Sequence, residues 1–190
     1  MWWRDCDYSK VPREKIIVFD VETTGLYADE DEILQVSAID GNGKTLINTY
    51  VKPTQAKAWP RASRVNGITP ETVKDAPTFS EIRAEVQKIF DEHDYLVGYN
   101  VFFDIDFLRA SGIEFRNKID EEKFFDVMEA FAVIYGEWND YYESYTWQKL
   151  ITCADYYGFK NYDAHDSFND CRATLFCFKK MLKLDKKGGK

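Results

Sequence analysis

Apolar positions along this chain follow two different periods, and the order of the two predicts the architecture. Ile16 to Val21 is an apolar run broken only by Asp20, the pattern of a strand buried on both faces. Glu32 to Ile39 and Thr45 to Val51 read as two more strands, with the turn stretch "DGNGK" between them, so the first three strands make an antiparallel meander. A Pro-containing loop follows, from Pro53 to Pro77. The period then becomes helical: in "TFSEIRAEVQKIFDEH" Ile82, Val86, Ile89 and Phe90 share one face. Thr78 or Ser80 caps that helix, and Glu81 stands three residues after Thr78 as a capping box requires. "YLVGYN" is a short buried strand, and "FDIDFLRASG" is a helix ended by Gly112. "KFFDVMEAFAVIYG" reads as a strand end running into a helix stopped at Gly136. "TWQKLITCADYYG" is a helix stopped at Gly158, and "SFNDCRATLFCFKKML" is a long last helix. The order predicts an α/β domain with a mixed sheet flanked by helices. "GEWNDYYESYTW" fits neither period and reads as an acidic, aromatic insertion, either a lid or a packed loop.

Composition changes this picture little. The chain has 190 residues, 45% of them hydrophobic, enough for one domain with a sizeable core. No apolar run approaches the ~18 residues that suggest a membrane span. The N-terminus "MWWRDCDYSK" is interrupted by Arg4, Asp5 and Asp7 and lacks the apolar stretch of a signal peptide, so a cytoplasmic location with no membrane partner is expected. Cys6, Cys153, Cys171 and Cys177 show no CxxC spacing and only two histidines accompany them, which predicts free, mostly buried thiols rather than a zinc site.

Charge changes it more. A net charge of −8 taken alone argues against a nucleic-acid partner, because phosphate backbones select basic surfaces. The local distribution differs. "KPTQAKAWPRASR" carries Lys52, Lys57, Arg61 and Arg64 without an acid, and the tail "KKMLKLDKKGGK" sets six lysines against Asp185. "DEDE", Asp29 to Glu32, reads as a solvated turn, and His93 as an exposed helix end without chemistry. Carboxylates gathered around metal ions also count as negative in the formula while being neutralised in the protein.

That last point bears on "IIVFDVETTGL". Residues i and i+2 of a strand face the same side, so Asp20 and Glu22 project together and Val21 points away. At ~4 Å and an effective dielectric of ~20, two such charges repel by about 4 kcal/mol. That is a large part of a domain's stability of ~5–15 kcal/mol. A hard divalent cation converts the repulsion into binding energy. Gly25, in the turn that follows, permits unusual backbone angles and close ligand approach. A second acid, Asp104, lies just past a buried strand at the start of a helix, where the helix dipole also suits it. Asp106, two residues on, faces away from Asp104. In "AHDSFNDCRA", Asp166 and Ser167 are candidate caps of the last helix, with Asp170 in its first turn. His165 converges with Asp170 only if it lies in the loop before that helix. A neutral histidine beside a metal-bound water is suited to general-base chemistry near neutral pH.

Taken together, these motifs resemble the DnaQ-like, or DEDDh, family of 3′–5′ exonucleases, which includes proofreading subunits of bacterial replicative polymerases. "FDVETTGL", "NVFFDIDFL" and "HDSFNDCRAT" are similar to its three motifs, in order, and "DEILQVSAID", "RVNGITPETVKDAPTF" and "YTWQKLITCADYYGF" follow its connecting pattern. The resemblance implies a ribonuclease H-like fold: a mixed five-stranded sheet, antiparallel meander plus parallel strands, flanked by helices. It implies an exonuclease domain over residues 15–184, preceded by an extension at 1–14 and followed by a lysine-rich tail at 185–190. It also implies two Mg²⁺ or Mn²⁺ ions on Asp20, Glu22, Asp104 and Asp170, with Asp20 bridging both and His165 activating water. Thr23, Thr24, Leu26, Asn100 and Phe103 would contact the substrate, and Asn66 stands where the family often has His. Tyr99 likewise departs from the family's usual His. For Leu26 and Phe103 a core position is the competing expectation.

The substrate implied is the 3′ end of nucleic acid, single-stranded DNA favoured and RNA an alternative. Proofreading would call on a polymerase subunit as partner. Two other classes compete: a nucleic-acid-binding module on an inactive nuclease scaffold, and a phosphatase of the haloacid dehalogenase type. The five-residue set speaks against the first. Glu22 as the second acid, where that phosphatase chemistry uses aspartate, speaks against the other.

Overall fold

The computed structural model describes residues 6–8, 10–115, 123–160 and 166–185. Its centre is a five-stranded mixed sheet. Strands β1 (Ile16–Thr23), β2 (Ile33–Asp40) and β3 (Thr45–Tyr50) form the antiparallel meander. β4 (Tyr95–Gly98) and β5 (Phe124–Asp126) add in parallel on the other side of β1, giving the order β3-β2-β1-β4-β5. The turn between β2 and β3 is closed by Asp40, whose carboxylate accepts from the N–H groups of Asn42 and Lys44 at 2.8 and 2.9 Å.

The apolar run that opens β1, Ile16 to Phe19, follows from its central place. Ile16 and Val18 pack on one face against helices α5 (Val127–Tyr135), α6 (Leu150–Tyr157) and α7 (Ser167–Asp185). Ile17, Phe19 and Val21 pack on the other, against α3 (Phe79–Glu92) and α4 (Val101–Ala110). Both layers exclude water, so neither face of the strand tolerates a polar residue until its carboxyl end. Tyr8, from the N-terminal segment, is buried edge-on against Phe125 and Phe178.

The helix signals are realised as local chemistry. Thr78 caps α3, and Glu81 accepts from its backbone N–H at 2.7 Å. Gly136 and Gly158 end α5 and α6 in the left-handed region, with φ of 82° and 78°. α6 starts at Leu150, later than the pattern predicts: residues 138–145 form a small hairpin, β6 (Trp138–Asn139) and β7 (Ser144–Tyr145), and the Thr146 N–H still donates across it to the Glu137 carbonyl at 2.8 Å. The helix α1 (Pro60–Asn66) and the single turn α2 (Pro70–Val73) lie in the long loop, over a small core of Leu34, Trp59, Ile68 and Val73.

Three expectations need correction. His93 is buried, 6% exposed, and its Nδ1 is bonded to the Ile89 carbonyl at 2.7 Å, so it finishes α3 from inside. "DEDE" is solvated only at Asp29 and Glu30. Glu32 accepts from the backbone of Thr54, Gln55 and Ala56, and Asp31 from Thr24 Oγ1 and the Tyr27 N–H. Gly25 does not have a positive φ; a Cβ there would displace the Asp31 carboxylate, so the position serves close approach to that side chain rather than a special backbone angle. The cysteines are free, and Cys153, Cys171 and Cys177 are buried.

Candidate active site

β1 pairs with β4 only through Val18, while its pairing with β2 continues to Thr23. Past Val18 the strand therefore has one open edge at the carboxyl end of the parallel strands, where ligands bind in open α/β sheets. The pairing with β2 shifts register between Glu22 and Thr23, an irregularity that re-aims side chains. Asp20 and Glu22 leave β1 on the face covered by α7, as the i, i+2 rule requires. α7 brings Asp170 to them from the far end of the sequence. One carboxylate oxygen from each of Asp20, Glu22 and Asp170 lies within 4.8 Å of the other two.

Asp104 stands outside this triangle. It is 2% exposed, in the first turn of α4, and its Oδ1 accepts from the Val21 N–H at 3.0 Å. That backbone group lies between Asp20 and Glu22 and beyond the reach of β4, so the contact anchors the second motif to the first. Asp106 is exposed and its carboxylate lies 3.7 Å from Arg109 Nη1, which leaves Asp104 as the inward acid. Asp166 accepts from the Asn169 N–H at 3.0 Å and so caps α7. Gln35 Nε2 donates to its other oxygen at 3.3 Å. Ser167 is buried against Ser37, their hydroxyls 2.6 Å apart. His165 lies outside the described residues.

The electrostatics are those of like charges held together. Burial first, then the facing Asp104, Asp170, Glu22 and Asp166, hold the Asp20 carboxyl well above the usual range. Glu22 is pushed up to about 7, by burial and then by Asp170, with a hydrogen bond from Asn66 acting the other way. Asp104 is raised by burial, against the opposing Val21 hydrogen bond. All donors in the cluster are carboxylate oxygens, a set that suits a hard divalent cation.

A pH dependence follows. Between about 4.5 and 7, folded Glu22 keeps a proton that the unfolded chain has released, so the stability of the metal-free protein falls as pH rises through that window. A bound cation requires the deprotonated ligands and reverses the trend. Melting temperatures in EDTA are expected to decline from about pH 5 to about pH 8, and Mn²⁺ is expected to raise them most at the upper end. A flat or rising profile in EDTA would count against the cluster.

Beside the acids opens a cavity of about 600 Å³. Thr23, Thr24, Leu26, Asn66 and Phe103 all line it together with Glu22, which gathers five of the six expected substrate contacts. Leu26 is 75% exposed, so the competing core position is excluded for it, whereas Phe103 is half-buried and packs on Phe107. Thr23 Oγ1 donates to the Gly25 carbonyl at 2.6 Å, and the Thr24 N–H to the Glu32 carbonyl at 2.9 Å. Asn66 Oδ1 accepts from the Ile68 N–H at 3.0 Å. Asn100 is exposed, in the left-handed region at φ 63°, and does not line the cavity.

One residue that organises the site lies outside the three motifs. Asp126 is 1% exposed at the end of β5, and four N–H groups donate to its carboxylate. Met128 and Glu129 belong to α5; Asn100 and Val101 start α4, the helix that carries Asp104. "FFD" at 124–126 repeats the apolar-run-then-acid pattern of "VFD" at 18–20, a signal that was present in the sequence.

Comparison with known proteins agrees with this geometry. The RNase_T family model, described as exonuclease, matches residues 17–178. The chain is 32% identical over 166 residues to "Uncharacterized exonuclease CP81" of Escherichia phage 186, covering 84% of each protein. It is 30% identical over 168 residues to DNA polymerase III subunit epsilon of Treponema pallidum, covering 86% of this chain and 74% of that one. Among solved structures, the zinc-bound E. coli exonuclease I complex with single-stranded DNA superposes with a TM-score of 0.72 at 20% identity, over 93% of this chain and 42% of that chain. The complex of the same enzyme with a dA16 oligonucleotide gives 0.71 at 21% identity, over 90% and 41%. The chain thus spans less than half of exonuclease I, and the likeness shows a ribonuclease H-like fold.

Proposed function

This chain belongs to the RNase_T exonuclease family, and we propose that it removes nucleotides from the 3′ end of nucleic acid, single-stranded DNA favoured, releasing nucleoside 5′-monophosphates. The observation that carries this reading is the convergence of Asp20, Glu22 and Asp170 beside an open cleft. Those three, with Asp104, would hold Mg²⁺ or Mn²⁺. Bound divalent ions supply an acidified water and neutralise charge at the leaving 3′ oxygen. Leu26 and Phe103 would pack on the terminal base, Thr23 and Thr24 line the terminal sugar, Asn66 orients Glu22, and Asn100 meets the strand. His165 would take the proton of the attacking water; the water oxygen bonds to phosphorus as the P–O3′ bond breaks, and the 3′ oxygen leaves on the shortened strand and is protonated. Single-stranded DNA in the solved neighbours and the polymerase subunit among the relatives support the choice of DNA, and a polymerase subunit is the partner this reading suggests.

The test uses single-stranded DNA, duplex DNA and RNA, each labelled at the 5′ end, in Mg²⁺ or Mn²⁺ and again in EDTA. The expected result is a ladder shortening from the 3′ end, fastest on single-stranded DNA and absent in EDTA. Binding without shortening would favour an inactive scaffold, and faster loss of RNA would reassign the substrate.

A further inference from the structure

The cleft contains a charge that the carboxylate chemistry leaves unused. Three charged residues line it: Glu22, Asp31 and Arg61. Glu22 belongs to the acid cluster, and both oxygens of Asp31 are engaged, by Thr24 Oγ1 and the Tyr27 N–H. Arg61 is exposed and makes no ion pair or hydrogen bond with the described residues. It projects from α1, which is anchored at its start. Pro60 starts that helix, the Trp59 Nε1–H and Ser63 Oγ–H both donate to the Ile68 carbonyl at 2.7 Å, and the buried Trp59 anchors it to the small core. Lys57 and Arg64, also exposed, flank it along the chain, in the acid-free stretch Lys52 to Arg64 of a protein of net charge −8. Leu26, Val65 and Phe103 supply apolar surface in the same cleft. A base needs such surface; a phosphate needs the cation.

Resting on the exonuclease reading, we infer that Arg61 is a positioning residue that holds a phosphate of the bound strand other than the one cleaved. A guanidinium on an anchored helix gives a charge-assisted contact to phosphate that is indifferent to sequence. It also offsets, at the cleft, the long-range repulsion that the acidic protein exerts on a polyanion.

Binding is measured by fluorescence anisotropy of labelled single-stranded DNA in an Asp20→Asn background, which keeps the strand intact. Adding Arg61→Ala is expected to weaken binding about tenfold and to make the log–log salt dependence shallower by about 0.7. Arg61→Lys is expected to retain most of the slope. Lys88→Ala, which removes an exposed cation on α3 beside Glu92, is expected to leave the slope unchanged. In the active protein, Arg61→Ala should raise KM for the oligonucleotide with kcat unchanged. It should leave hydrolysis of the p-nitrophenyl ester of thymidine 5′-monophosphate unchanged, because that ester carries only the scissile phosphate. Unaltered affinity and slope would overturn the inference. So would equal losses on the ester, which would put Arg61 on the terminal nucleoside. A wild-type protein that binds strands through Arg61 but cleaves none would instead refute the exonuclease reading alone.

Discussion

Asp20→Asn is expected to lower cleavage by at least about a thousandfold, the equivalent of losing several kcal/mol of metal-derived stabilisation, while making the metal-free protein more stable. The two effects have one cause. Asp20 faces Asp104, Asp170 and Glu22, and burial together with those charges raises its pKa. The isosteric amide removes a carboxyl that the metal-free folded state can ionise only at a cost, and removes the ligand that makes the cost useful. In EDTA near neutral pH the melting temperature should rise by roughly 5 °C, on the scale of ~2–4 °C per kcal/mol for a chain of this length. The increase that Mn²⁺ gives the wild type should shrink or disappear. Asp106→Asn is the control: its carboxylate is exposed beside Arg109, and both activity and melting temperature should stay close to wild type. An Asp20→Asn protein that cleaves normally, or that Mn²⁺ stabilises as strongly as the wild type, would remove the basis for the metal site.

Asp126→Ala should give the largest loss of stability away from the acid cluster. The carboxylate accepts from the Met128 and Val101 N–H groups at 2.8 and 3.0 Å and from those of Asn100 and Glu129 at 3.1 and 3.4 Å. Each buried donor left without a partner costs ~1–3 kcal/mol, and the two shortest bonds alone put the total at about 2–6 kcal/mol. The melting temperature should fall by about 10 °C or more. Asp126→Asn retains one accepting oxygen and should fall in between. Activity should decline in the same order even where the protein stays folded, because Asn100 and Val101 begin the helix that aims Asp104 at Val21. A change in melting temperature of less than about 2 °C for the alanine variant would show that water replaces the carboxylate, contrary to its burial.

Most of the fold was readable from local signals. β1, the meander and the capping box of α3 each rest on period, turn residues or spacing, which act over a few positions and do not depend on the rest of the chain. The same is true of the pairing of Asp20 with Glu22, since the side-chain period of a strand is a backbone property. His93 depends on more than local signals. Its place in the interior depends on the packing around the end of α3, and nothing in "FDEHDY" reports what lies opposite. "DEDE" misleads for the same reason, since the partners of Glu32 are backbone groups at residues 54–56, brought near by a loop more than twenty residues away.

Sequence alone therefore determined which residue types and spacings exist: the acid pair at the end of a buried strand, the acid opening a helix, and the basic run before Asn66. Only the tertiary structure decided which of them meet. Asp104 rather than Asp106 turns inward because the Val21 N–H is left open where β4 stops. Asp126 becomes the shared cap of two helices because β5 ends beside β4. Arg61 enters the cleft because Trp59 pins its helix there. Spacing is set by the covalent chain, whereas convergence is set by burial and hydrogen bonding between segments remote in sequence, and those energies are defined only once the core has formed.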